Sequence, residues 1–111
     1  MKFNKLYSAP IFSFVIKQYI LDELDVKYCG SKQLDTNTYN HSYELEYNGA
    51  TLYKINLMIV NTRAYISLGV PGVSKEEKEI ELFDLDEANQ ERNTINTLIS
   101  LCYQLDVRIF K

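Results

Sequence analysis

The sequence predicts one α+β domain, residues 1–111, in which an antiparallel meander sheet of four to five strands is packed on one face by an N-terminal and a C-terminal helix. Three observations support this fold class. The segment Thr51–Val60 alternates apolar and polar residues, and part of its second face is also apolar, which is typical of a central strand. Asn48-Gly49, just before it, is a strong hairpin signal. Helix-like apolar patterns lie on both sides of the strand region.

The first predicted elements come before the sheet. Residues Met1–Tyr7 are short and mixed, and an edge strand is the expectation there. Ser8 is the expected N-cap of a helix over Ile11–Leu24, with Pro10 in the first turn, where proline is tolerated. The apolar residues of this helix are distributed around nearly its whole circumference, so we expect it to be buried on more than one side, within the monomer or in a dimer. A strand over Ile11–Ile16 is the alternative, because that run is β-branched and aromatic.

The next segments alternate between strand and loop patterns. Val26–Cys29 predicts a short strand that ends at Gly30. Ser31–Asn40 is polar and has no period, so we expect a loop. His41–Tyr47 alternates cleanly and predicts the strand that precedes the Asn-Gly turn.

The length of that turn can be predicted from register. A two-residue loop at Asn48-Gly49 would place Tyr43 opposite Lys54, which mixes an apolar face with a polar one. A three-residue loop that also includes Tyr47, with Gly49 in the left-handed conformation, places Tyr43 opposite Tyr53. Because a slip of one residue would turn every side chain to the other face, we predict the three-residue loop.

A two-residue turn at Asn61-Thr62 satisfies the same test for the next hairpin. The strand that follows ends at Val70-Pro71-Gly72, and Val73–Lys78 is a predicted charged loop. Glu79–Leu85 is the predicted last strand of the meander, with Ile80 and Leu82 facing inward. The turn predicts four apolar pairs, namely Ile59–Ala64, Leu57–Ile66, Ile55–Leu68 and Tyr53–Val70.

The C-terminal region predicts a second helix. Asp84 or Asp86 is the expected N-cap, and Asp84 with Glu87 resembles a capping box. We expect the helix to end at Asp106 and to be followed by a short strand, Val107–Phe110. The predicted buried stripe consists of Ala88, Ile95, Leu98, Ile99, Cys102 and Leu105.

Composition limits the classes of function. The net charge of −3 and the pI near 5.1 argue against a general nucleic-acid binder, because cationic surface supplies most of the affinity for phosphate backbones. Lys2 and Lys5 precede an apolar run that stops at Lys17 with no cleavage site, so we expect no signal peptide and a cytoplasmic protein. Cys29 and Cys102 are accordingly predicted to be reduced, buried thiols rather than a disulfide.

Residues that could carry chemistry are sparse. The single histidine, His41, falls on the predicted inner face, where a packed side chain is the ordinary explanation. Cys102 falls within the apolar stripe of the last helix. One histidine and two distant cysteines offer no metal-ligand spacing, and Gly69–Gly72 is a turn rather than a phosphate-binding loop. We therefore expect a protein that is not an enzyme, with no catalytic residues, metal or cofactor.

The acidic residues are unevenly distributed. Eight of the fifteen fall in Glu76–Glu91, where only Lys78 opposes them before Arg92. Helix-dipole complementation accounts for a few, such as Asp86 and Glu87. The remainder predicts an acidic patch that attracts a basic protein partner. Its central members are Glu76, Glu77, Glu79 and Glu81.

Three large apolar residues fall on the face that should point away from the helices. Met58 lies opposite Tyr65 in the predicted register, and Phe83 has the same parity on the next strand. Polar residues surround them, including Glu44, Lys54 and Asn56 on neighbouring positions. Apolar residues rimmed by carboxylates predict an interface, either with a partner or in a homodimer.

Together these patterns favour an inhibitor that binds a basic, nucleic-acid-binding partner and does not itself touch nucleic acid or membrane. Small acidic α+β proteins include toxin immunity proteins and phage-encoded blockers of bacterial defence nucleases, a likeness of size and charge alone. One alternative is a protein that sequesters a small ligand or signalling nucleotide in a tyrosine-lined cleft, with Lys54, Arg63 or Arg108 binding phosphate. A structural homo-oligomer subunit is the other alternative.

Overall fold

The computed structural model describes residues 9–60, 63–71, 74–81 and 87–111, and for 9–11, 63–64, 74–81 and 87–90 it describes the backbone alone. The predicted fold class is confirmed. The described elements are helix α1 (Ala9–Tyr19), strands β1 (Asp25–Asp35), β2 (Thr38–Tyr47), β3 (Ala50–Val60), β4 (Arg63–Val70) and β5 (Ser74–Glu81), and helix α2 (Glu87–Leu105). The strands form an antiparallel meander in the order β1-β2-β3-β4-β5.

Several predictions fall outside the described residues. They are the edge strand over Met1–Tyr7, the Ser8 cap, the Asn61-Thr62 turn itself, and the caps Asp84 and Asp86. Leu82, Phe83 and Leu85 also lie outside them.

Strand β3 is central, as its pattern predicts, and its pairing with β4 follows the predicted register. Ile59 lies opposite Ala64, Leu57 opposite Ile66, and Ile55 opposite Leu68. The ladder ends at the pair Lys54–Gly69, one position short of the predicted pair Tyr53–Val70.

The hairpin between β2 and β3 differs from its prediction. Asn48 and Gly49 both have positive φ, 51° and 82°, so the loop has two residues and not three. Positive φ at both positions is the property of the type I′ turn, whose twist matches that of the flanking strands. The prediction of left-handed Gly49 is confirmed, but the predicted loop length is wrong.

A β-bulge at Leu52 explains how a two-residue turn keeps the apolar residues on one face. Thr51 pairs with Glu46 and Tyr53 pairs with Leu45, so Leu52 is an extra residue on β3. Beyond the bulge Tyr43 lies opposite Ile55, instead of Tyr53. The parity of the faces is therefore as predicted, and the pairing is displaced along the strand.

The predicted loop Ser31–Asn40 is wrong, because β1 and β2 form a long hairpin there. Asp35 accepts a hydrogen bond from the Asn37 backbone N–H at 2.8 Å, which stabilises the turn. Register shifts at Cys29 and Leu34 interrupt the regular pairing of β1, and Gly30 has a φ of 112°. Most side chains in this hairpin end are exposed, so no apolar alternation marks the strands.

The predicted loop Val73–Lys78 is also wrong in part, since β5 begins at Ser74. Ile80 lies opposite Ala64, in the predicted inward register. β5 is an edge strand of the described sheet, and edge strands commonly carry many charges because these oppose pairing with other chains. This explains why a true strand had the composition of a loop.

Helix α1 ends at Tyr19 rather than at Leu24, and the alternative strand over Ile11–Ile16 is wrong. Ile20 pairs in a β-bridge with Phe110, so its backbone leaves the helix. Lys17 donates from Nζ to the Leu24 carbonyl and forms an ion pair with Asp25 at 3.2 Å, which fixes the chain reversal. α1 packs on β1 and also contacts α2, while Phe14 is 67% exposed in the monomer, so the expected burial in a dimer stays a prediction.

Both helices pack on one face of the sheet and enclose a single core. α1 packs on β1, and α2 packs on β4 and β5. Phe12 and Tyr43 form a ring contact with centroids 4.8 Å apart. Buried core residues include Phe12, Val15, Ile16, Ile20, Leu24, Tyr43, Leu45, Ile55, Leu57, Ile59, Ile66, Leu68, Ile95, Leu98, Leu101, Cys102 and Ile109.

Helix α2 ends as predicted, at Asp106, which has a φ of 55°. The Val107 N–H donates to the Cys102 carbonyl at 3.0 Å, and the Asp106 N–H donates to the Tyr103 carbonyl at 3.3 Å, as in a Schellman cap. In the buried stripe Leu101 is enclosed, whereas the predicted Ile99 and Leu105 are half-buried. The predicted strand Val107–Phe110 is wrong, because residues 107–109 have no strand structure and, within the described part of the chain, the one β-bridge of this segment is that of Phe110.

Candidate functional site

The face of the sheet away from the helices carries the predicted pair of apolar residues. Met58 on β3 lies directly opposite Tyr65 on β4. Their chain neighbours Leu57 and Ile66 are fully buried in the core, so the alternation of a strand places Met58 and Tyr65 on the outer face. Both are half-buried.

Polar side chains beside this pair are hydrogen-bonded to each other. Ser42 donates from Oγ to Asn56 Oδ1 at 2.8 Å and accepts from Asn40 Nδ2 at 3.3 Å. Thr51 Oγ1 donates to Glu44 Oε1 at 3.1 Å. These hydrogen bonds link polar side chains of β2 and β3 beside Met58.

The acidic strand β5 continues the row of outer-face positions. Glu79 lies opposite Tyr65, which in turn lies opposite Met58. Glu77 and Glu81 lie opposite Ser67 and Arg63, whereas Glu76 lies opposite the core residue Leu68. Three of the four predicted glutamates thus share the register of the outer face, and Glu76 does not.

The remaining predicted acidic residues do not all belong to one surface. Glu87 and Glu91 lie on α2, on the opposite side of the sheet from Met58. Glu91 accepts a hydrogen bond from the Tyr19 hydroxyl at 2.9 Å, and this contact raises the pKa of Tyr19. Glu91 therefore joins the two helices. The predicted interface residue Phe83 lies outside the described residues.

His41 occupies a partly buried position on β2, as a packed residue would. Its Nδ1 lies 3.4 Å from the Tyr28 hydroxyl, and the two rings are in tilted contact. Burial lowers the pKa of His41, which favours the neutral ring.

The two thiols are free, as predicted, but Cys29 is exposed where burial was expected. Burial raises the pKa of Cys102 to about 11. The pKa of Cys29 is also raised, mainly by partial burial and then by the Glu44 carboxylate. Nucleophilic cysteines have lowered pKa values, so neither thiol is activated.

The clefts on the helix side of the molecule include two that share a lining residue. The first, which we call the Tyr47 cleft, has a volume of about 410 Å³ and lies where the β2–β3 turn meets the C-terminal segment. The second, of about 580 Å³, lies beside the end of α2, and Arg108 lines both. The lining residues of the Tyr47 cleft are Leu21, Glu23, Leu24, Tyr47, Leu52, Tyr53 and Arg108.

The described residues contain no group of three or more His, Cys, Asp or Glu side chains placed to hold a metal ion. No helix in this part of the chain has both the length and the apolar content needed to cross a membrane. The chain matches no protein-family model, and its comparison with curated proteins and with solved structures gives no significant match.

Proposed function

We propose that this protein is a non-enzymatic inhibitor that binds a basic surface of another protein through the outer face of its sheet. Met58 and Tyr65 form the apolar centre of the binding surface, and the glutamates of β5 supply its acidic side. The observation that carries the proposal is the single row across three strands formed by Met58, Tyr65 and Glu79.

The surroundings of Met58 and Tyr65 favour an interface. Interfaces combine an apolar centre with a polar rim, and large apolar side chains are uncommon on a sheet face that meets only water. The hydrogen bonds among Asn40, Ser42 and Asn56 hold one side of this rim in place before binding. Little side-chain freedom would then be lost on association.

The charge of β5 favours a basic partner. Its sequence, SKEEKEIE, contains four glutamates and two lysines. A net negative edge attracts a positive surface over a distance of about one Debye length and raises the association rate. Nucleic-acid-binding proteins present such surfaces, so the proposal includes inhibitors of the immunity-protein or phage counter-defence type.

The first experiment compares two double variants in affinity capture from the source cells, followed by binding to the purified partner. Met58→Ala with Tyr65→Ala should lower the affinity about tenfold or more, the loss expected for central interface residues. Leu34→Ala with Tyr39→Ala is the matched control, because both residues are exposed and apolar but lie on the β1–β2 hairpin. Equal affinities of the two variants would contradict the proposal.

The same Met58/Tyr65 variant also tests for self-association. Sedimentation of the wild type and of the Met58/Tyr65 variant shows whether the surface joins two copies. A wild type that is a dimer, together with a variant that is a monomer, would overturn the inhibitor proposal and favour a structural homo-oligomer.

The second experiment tests the acidic side. Reversal of the three outer-face glutamates Glu77, Glu79 and Glu81 to Lys should slow association with the purified partner, and added salt should slow association of the wild type. Association rates that do not respond to either change would show that β5 is charged only to protect a sheet edge.

A further inference from the structure

We infer that the Tyr47 cleft is a binding site for a mononucleotide, with its planar base against the tyrosine side of the cleft and its phosphate at Arg108. This site lies on the helix side of the sheet, away from Met58 and Tyr65. The inference therefore does not depend on the proposed inhibitor surface.

The shape of the cleft comes from the bulge at Leu52. The extra residue turns both Leu52 and Tyr53 toward the lining of the cleft, where an unbroken strand would alternate them. Tyr47 and Leu52 remain 45% and 38% exposed at its rim. Their apolar surfaces are therefore accessible to a ligand at the rim of the cleft.

The dimensions of the cleft suit a small molecule rather than a protein segment. Ligand sites range from about 300 to 1,000 Å³ and combine apolar walls with a few polar groups. The Tyr47 cleft, at about 410 Å³, has two tyrosines, three leucines and two charged residues. Tyrosine rings offer a surface on which any nucleobase can stack.

The charges in the cleft point to an anion with hydrogen-bond donors. Arg108 is exposed, and among the described residues no ion pair engages its guanidinium. Arginine binds phosphate through two parallel hydrogen bonds. Glu23 also lines the cleft and is exposed, and its carboxylate can accept from a base amino group or a ribose hydroxyl. A mononucleotide carries all of these partners on one small molecule.

The test uses AMP, GMP, CMP and UMP, each beside its uncharged nucleoside, titrated into the full chain by calorimetry. At least one monophosphate should bind, and its nucleoside should bind about tenfold more weakly, the loss expected for a charge-assisted contact. Absence of monophosphate binding up to millimolar concentration would overturn the inference. Equal binding of a monophosphate and its nucleoside would overturn the role of Arg108.

Matched variants locate the site. Arg108→Gln should reduce monophosphate affinity to that of the nucleoside, while Arg92→Gln, which removes the same charge from an exposed position on α2, should not. Tyr47→Ala should weaken both ligands, whereas Tyr39→Ala, a residue of similar exposure on the same strand, should weaken neither. Equal effects within either pair would show that binding is non-specific. Met58→Ala with Tyr65→Ala should leave nucleotide binding unchanged, which separates this site from the inhibitor surface.

Discussion

The two faces of strand β3 differ in what holds their side chains. On the inner face Ile55, Leu57 and Ile59 are at most 3% exposed and belong to the one core cluster that also includes residues of both helices. On the outer face Asn56 is hydrogen-bonded and Met58 is half-buried. The inner-face residues of β3 thus stabilise the fold, whereas core packing does not constrain the residues on its outer face.

The contrast indicates where a binding surface can arise in a small domain. Loss of an inner side chain leaves a cavity, so those positions are constrained by packing. Outer positions tolerate substitution more readily, so packing of the core does not account for a large apolar pair there. For this reason we place the proposed binding surface at Met58 and Tyr65.

Substitution of two adjacent residues, one on each face of β3, tests the assignment of the faces. Leu57→Ala should lower the free energy of unfolding by about 2–5 kcal/mol, because it empties a fully buried site. Met58→Ala should cost less than about 1 kcal/mol, as at a partly exposed site. Urea denaturation measures both. Similar losses would mean that Met58 belongs to a core and that the two faces are wrongly assigned.

The second prediction concerns the Asn48-Gly49 turn, which together with the bulge at Leu52 keeps the apolar residues of β2 and β3 on the same face of the sheet. Gly49→Ala should lower the free energy of unfolding by about 1 kcal/mol, since Gly49 has a φ of 82° and no atom lies within 4 Å of an added Cβ. The cost is therefore one of backbone conformation. Asn48→Gly is the control and should be nearly neutral, because glycine also adopts the φ of 51° found there. Equal stability of Gly49→Ala and wild type in chemical denaturation would contradict the turn geometry.

The smallest effect concerns His41, at the partly buried margin of the inner face. Burial lowers the pKa of His41 below the ordinary 6.5. Between the two pKa values His41 is therefore mostly protonated in the unfolded chain and mostly neutral in the folded chain. Stability should be unaffected by this residue well above pH 6.5 and should fall as the pH drops through 6.5 toward the lowered value. His41→Gln removes this contribution, and the difference between the two pH profiles of unfolding isolates it from the carboxylates. Parallel profiles would show that His41 is not buried in the folded state.

Sequence patterns predicted the fold where burial imposed an alternation. The pairs Ile55–Leu68 and Leu57–Ile66 followed from one assumed turn because each residue must reach the core. The hairpin end at Ser31–Asn40 was missed, since its side chains are mostly exposed and polarity there carries no period. The start of β5 was missed for a related reason, because an edge strand can be charged throughout.

Of the two candidate sites, one could be predicted from the sequence and the other only in part. The Met58–Tyr65 pair could be predicted, because it follows from register alone. The sequence indicated a tyrosine-lined cleft with Arg108 as one alternative, but it could not show which tyrosines meet. Tyr47, Leu52 and Tyr53 line one cleft with Arg108 because a two-residue turn is combined with a bulge. An apolar residue that breaks the alternation just after an Asn-Gly turn, such as Leu52, is the signal that could have located the bulge.

The bridge between Ile20 and Phe110 also bears on the order of folding. The meander pairs strands that are adjacent in sequence, so its hairpins close short loops. The bridge instead pairs Ile20, which precedes all five strands, with Phe110, which follows them. The Leu21 N–H donates to the Ile109 carbonyl and the Lys111 N–H to the Tyr19 carbonyl, which extends the same junction. Closing so long a loop has a high entropic cost, and we expect these contacts to form after the transition state. Substitutions at Phe110 should then accelerate unfolding while leaving the refolding rate nearly unchanged.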